Sequence, residues 1–130
     1  MADILKTVSN PLGTLVFRET AANATIVANV FNKTAPQMFV VKLDNSANST
    51  EAVYLKLYES TNADGGQISV GTTVPSFVLK APASRSVEML IPGGVQFATS
   101  NYAHLAVTAT AGTAGTTAPT GTVSVTLIGT

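Results

Sequence analysis

AVYLKLYESTNADGGQISVGTTVP, residues 52–75, opens on strict alternation and closes in a polar, glycine-bearing loop. Successive side chains of a β-strand point to opposite faces, so Val53, Leu55 and Leu57 fall on one side and Tyr54, Lys56 and Tyr58 on the other. The aliphatic side is expected to build a core. The mixed side is expected to present a surface whose work is contact, and Tyr54, Lys56 and Tyr58 are its candidate partner-contact residues.

Similar runs recur in both directions from this strand. Thr14–Glu19 (TLVFRE), Thr25–Phe31 (TIVANVF) and Gln37–Leu43 (QMFVVKL) precede it, and the last ends at DNSANST, whose side chains favour turns by bonding their own backbone. Val74–Lys80 (VPSFVLK), Arg85–Ile91 (RSVEMLI), Tyr102–Thr108 (YAHLAVT) and Thr122–Ile128 (TVSVTLI) follow, with APAS, PGG and AGTAGTTAPTG between them. Pro92-Gly93-Gly94 reads as a tight turn. About eight short strands at this spacing predict an all-β, antiparallel sandwich or barrel. No window carries a sustained 3.6-residue period with capping signals, so long helices are not expected. No internal repeat is visible.

The chain divides into residues 1–13, an edge strand or an arm reaching a partner, and 14–130, the β-domain. The first segment is apolar at Ile4, Leu5, Val8 and Leu12, which are further candidate contact positions, and is broken at Asn10-Pro11. Ala109–Gly121 is built of small residues and reads as a flexible loop, with a tip ordered against a neighbouring subunit as the functional alternative.

At 130 residues the chain suits one domain. Apolar residues make up 45%, enough for a core, while charged residues are 11%, well below the roughly 25% of typical soluble domains. Seven basic and seven acidic residues cancel. That balance leaves no basic field for nucleic acid or an anionic membrane surface, and little repulsion between copies. With no cysteine, disulfides, thiolate metal sites and thiol nucleophiles are excluded. The N-terminus lacks the pattern of a secretory signal and no apolar run approaches a membrane span, so a soluble protein made in the cytoplasm is expected.

Residues that carry chemistry are sparse. The one histidine, His104, lies inside a predicted strand with no second histidine or carboxylate cluster beside it, and reads as a structural strand residue. Asp3, Glu19, Asp44, Glu51, Glu59, Asp64 and Glu88 are scattered singly, without calcium-loop or helical metal-pair spacing; Asp44 and Asp64 sit in turn-rich segments where a turn role is expected. No phosphate-binding glycine loop is present. The sequons at Asn23, Asn32 and Asn48 are expected to be chance in a chain rich in Asn and Thr. No catalytic, metal or cofactor-binding residue is assigned and no cofactor is expected.

From Ala52 to Ala111 the features run in a characteristic order: VYLKLY, a polar loop, VGT-x-x-P, a strand ending in PA, a hydrophobic strand, then GVQF before the next strand. Val53–Tyr58 carry the strand part, Val70, Gly71, Thr72 and Pro75 the turn, and Gly94, Val95 and Phe97 the later turn. This pattern resembles small structural proteins of tailed bacteriophage and prophage virions. Where relatives finish the Phe97 region with a glycine, this chain reads FATSNY. The resemblance implies a single-domain β-sandwich of jelly-roll character, with an immunoglobulin-like sandwich as the alternative. It implies a non-enzymatic capsid decoration or cement protein on the outer surface of a phage head, made in the host bacterial cytoplasm. Its partners would be the major capsid protein and further copies of itself, a trimer ahead of a dimer, with no nucleic acid and no membrane. The competing readings are a tail, baseplate or fibre adaptor and a carbohydrate-binding host-attachment sandwich. The absence of Trp argues against stacking on sugars.

Overall fold

The computed structural model describes residues 13–130, and within them the chain forms seven strands. These are β1 (Leu15–Glu19), β2 (Gln37–Asp44), β3 (Val53–Ser60), β4 (Phe77–Ala81), β5 (Ser86–Gln96), β6 (Tyr102–Thr108) and β7 (Ser124–Gly129). All pair antiparallel, in a four-stranded sheet of order β1-β7-β2-β5 and a three-stranded sheet of order β4-β3-β6. There is no helix among the described residues. The arrangement is consistent with the expected β-sandwich.

Alternation drives the packing. Val53, Leu55 and Leu57 of β3, Leu79 and Ala81 of β4, and Ala103, Leu105 and Val107 of β6 share one buried cluster with Met38, Val41 and Leu43 of β2 and Val125 and Leu127 of β7. The inner faces of the two sheets therefore build a single core, closed at its margins by Val30, Phe31 and Phe97. Burying a large aliphatic side chain is worth about 1.5–3 kcal/mol. Phe97 contributes to the core although its segment departs from the pattern of the resembling family: its N–H donates to the Pro36 carbonyl, and Ala98 and Asn101 are tied to the Glu59 carboxylate.

The pairing is nested. β1 pairs with β7, Val27 bridges Leu105 of β6, β2 pairs with β5, and β3 pairs with β4. The Thr25–Phe31 run, expected to be a full strand, contributes only that isolated bridge. Its extension fails at Asn29 and Asn32, both in the left-handed region with φ of 52° and 53°, conformations that Asn tolerates and β-branched residues do not.

Two further expectations change. Pro92-Gly93-Gly94 is not a turn between strands but lies inside β5, which runs on to Gln96. It falls where the β2–β5 register shifts between Met38 and Val40, on an edge strand, where a missing N–H is tolerated. The Val74–Lys80 strand starts later, at Phe77. Ile4, Leu5, Val8 and Leu12 lie outside the described residues, as does the question of arm or edge strand for residues 1–12.

Candidate functional site

On the outer face of the three-stranded sheet, β3 presents Tyr54, Lys56, Tyr58 and Ser60, and β6 presents His104, Ala106 and Thr108 opposite them. Lys56, Tyr58, His104, Ala106 and Thr108 are fully buried. The face that the alternation marks for contact is instead covered by the chain's own loops, so Lys56 and Tyr58 are not on a free surface of the single chain. Tyr54 is partly exposed and receives the Lys80 ammonium 5.9 Å from its ring centroid.

The loop joining β6 to β7 is held down from beneath. Lys56 Nζ donates to the carbonyls of Gly112 (2.7 Å) and Gly115 (2.9 Å), and the Ala109 N–H donates to the Thr117 carbonyl. Burial pushes the Lys56 ammonium below its ordinary pKa. The loop between β3 and β4 covers the other half of the sheet. Gly65 lies against Ile26, Ala28 and the His104 ring, so close that an added Cβ would stand 3.1–3.4 Å from each. The two loops also touch, since a Cβ on Gly71 would fall 2.5 Å from Thr116 Cγ2. Small residues at these positions let the cover lie flat on the strands.

His104 is spoken for on both nitrogens. Nδ1 accepts the Asn29 N–H at 3.1 Å, which places the ring proton on Nε2, 2.8 Å from Ser60 Oγ. Ser60 in turn donates its proton to the Asn62 carbonyl at 3.0 Å. A serine nucleophile needs an unprotonated imidazole nitrogen facing it, and this network has the polarity reversed. Burial holds His104 below its ordinary pKa, opposed by the charge of Asp64. The neutral ring acts as a clip between β3, β6 and the segment around Asn29. Tyr58 Oη, directly across from His104, has no hydrogen-bond partner among the described residues, and burial raises its pKa.

The carboxylates serve turns and loop ties. Asp44 Oδ1 accepts from Ser46 N–H and Ser46 Oγ–H, which lower its pKa, and Asp64 Oδ1 accepts from Gly66 N–H. Glu51 accepts from the Thr120 N–H and hydroxyl and from Asn48, and its pKa is lowered by them in that order of weight. Burial raises the Glu59 carboxyl, but hydrogen bonds from Ala98 N–H, Ser76 and Asn101 outweigh it and leave the group below its usual range. No cluster of three metal-ligating side chains occurs among the described residues. Asn48 is buried with both side-chain atoms engaged, so its sequon offers no glycan acceptor. A cleft of about 350 Å³ lies between Ala21–Asn23 and Pro119–Val123 and is lined by no ionisable side chain.

Among the described residues, the outer face of the four-stranded sheet is open at its two edges. Val16 and Leu90 stand 68% and 60% exposed on its two edge strands, and neither was singled out by periodicity. The signal was present in β2, where Phe39, Val40 and Val41 are consecutive, so that strict alternation cannot send all three inward, and in β7, where Ile128 interrupts an outward row of Ser124 and Thr126. Comparison of the chain with protein-family models, curated proteins and solved structures returns no significant match.

Proposed function

We propose that this chain is a structural virion protein, a capsid decoration or cement protein that binds the outer surface of a phage head and stabilises capsomer junctions, with the major capsid protein and copies of itself as partners. The order of motifs over residues 52–111 supports the reading, and the nested pairing carries it. With Val27 counted as a rudimentary strand beside β6, first pairs with last, second with next to last, and so inward to β3 and β4. Such nesting supports the reading as a jelly roll, an architecture used by viral capsid domains. In an immunoglobulin-like sandwich the first strand would pair with the second rather than with the last, so the jelly-roll alternative is favoured.

Fold alone does not define function, and the chemistry fits the same role. Both nitrogens of the lone imidazole are consumed in bracing the structure. A rigid block bound at many equivalent sites converts modest contacts into high avidity. The test is quantitative mass spectrometry of purified virions: hundreds of copies per particle are expected. A few copies would move the protein to the tail, and its absence from particles would refute a virion role.

A further inference from the structure

One row on the outer face of the four-stranded sheet is apolar from edge to edge. The register sets Val16 opposite Ile128, Ile128 opposite Val40, and Val40 opposite Leu90; Val16 and Leu90 at the ends are exposed, Ile128 is half-buried and Val40 is buried between its neighbours. Two residues along, on the same face, the next row reads Arg18, Thr126, Lys42 and Glu88. Positive charge therefore sits at the β1 edge and negative charge at the β5 edge. Asp44, one row further on β2, balances Lys42, so the face as a whole is neutral.

Consider a two-fold axis lying between two such faces and parallel to the strands. It brings a second copy face to face, keeps each row level and reverses the order of strands. Val16 then meets Leu90 of the second copy, Ile128 meets Val40, and Arg18 meets Glu88, with every contact repeated on the other side of the axis. We infer that this face is a self-association surface, closing a two-fold dimer in which the apolar rows stack and each Arg18 pairs with Glu88 of the other copy.

A patch complementary to itself under a two-fold axis closes at two copies, whereas a ring of three needs two different patches. The dimer thus replaces the three-fold association that the family resemblance implies, and it does not rest on the virion reading. Stacking two sheets about 10 Å apart is an ordinary packing mode. Four strands spaced about 4.8 Å apart, rising about 3.3 Å per residue, offer roughly 300–500 Å² per copy. That area belongs to the small, weakly associating class of interfaces. Association should accordingly depend on concentration.

Sedimentation velocity across a wide concentration range tests it, with circular dichroism to verify that each variant is folded. The wild type should pass from monomer to dimer. Leu90→Asp should raise the dissociation constant about a hundredfold, and Arg18→Glu or Glu88→Arg alone about tenfold. The double variant R18E/E88R should recover most of the loss, and mixing the two single variants should produce a heterodimer tighter than either homodimer. Arg18 and Glu88 of one chain are three strand spacings apart, roughly 14 Å, so recovery cannot arise within a chain. A wild type that stays monomeric, an assembly of three, an association indifferent to Leu90→Asp, or charge reversals without recovery would overturn the inference. Virion copy number is read independently, so either conclusion fails alone.

Discussion

The outer faces of the two sheets are made by the same alternation and have opposite fates. Over the three-stranded sheet, long loops fold back and bury a lysine, a tyrosine and a histidine. Over the four-stranded sheet no loop among the described residues returns to bury the Val16 and Leu90 side chains, and an apolar row exposed at its two ends lies beside a charged one. The covered face buries polar groups, among them an ammonium and an imidazole, while the open face leaves the apolar side chains of Val16 and Leu90 exposed. Cover is decided by where loops go, and here the polar side chains are what hold them: Lys56 grips Gly112 and Gly115, and His104 reaches Asn29. The polar residues of the outer β3–β6 surface are internal struts, and the surface of the other sheet leaves Val16 and Leu90 exposed.

The contrast can be broken most violently from inside. Leu55 is wholly buried between the sheets, and Leu55→Asp would strand a carboxylate there at a cost of several kcal/mol, comparable with the total stability of a domain. Loss of the β-sheet circular dichroism signal is expected. A folded Leu55→Asp would mean that the two sheets do not share a core.

Next in size is the grip on the loop. Lys56→Met keeps the aliphatic stem but leaves the Gly112 and Gly115 carbonyls without their donor, so a loss of about 2 kcal/mol is expected in urea unfolding. Hydrogen exchange should quicken first at the Ala109 and Gly115 amides, which are bonded within that loop. Unchanged protection there would show that the loop is held by something other than the ammonium.

His104 predicts a pH dependence. Its folded pKa lies below the ordinary histidine value of 6.5, so in the interval beneath that value the unfolded chain binds the additional proton. Stability should be complete above about pH 6.5 and fall as the pH drops through the interval, at no more than about 1.4 kcal/mol per pH unit, levelling off below the folded pKa. Burial disfavours the charged ring, which would also turn a second donor toward the Asn29 N–H. His104→Gln should flatten this part of the profile in denaturation series at several pH values.

The smallest effect belongs to the open face. Leu90→Ser changes a side chain that already meets water, and monomer stability should move by less than about 0.5 kcal/mol. A loss of several kcal/mol in dilute, monomeric protein would mean that the open face is covered after all.

Local pattern made much of the fold readable. Val53, Leu55 and Leu57 announced their face because the period of a strand is a property of neighbouring residues, and seven of the runs read from the sequence became strands. The eighth, around Val27, shrank to a bridge because Asn29 and Asn32 took left-handed backbone, a choice that hydrophobic content does not reveal. Pro92-Gly93-Gly94 could not be distinguished from a turn without knowing that β5 lies at an edge. The open stripe was the least legible feature. Val16, Ile128, Val40 and Leu90 come from four separate stretches of chain, and only their pairing register lines them up. The covering of Lys56 and Tyr58 was hidden for the same reason, since it depends on the distant Gly112 and Gly115 carbonyls that Lys56 reaches and on the close approach of Gly65 to His104.

Pro92, Gly93 and Gly94 have one more effect. They sit on the outermost strand, where Pro92 offers no amide hydrogen and the two glycines hold φ of 79° and 74°, so a flat foreign strand finds no continuous ladder to extend along that half of β5. That edge is thereby guarded against growing sideways into fibrils.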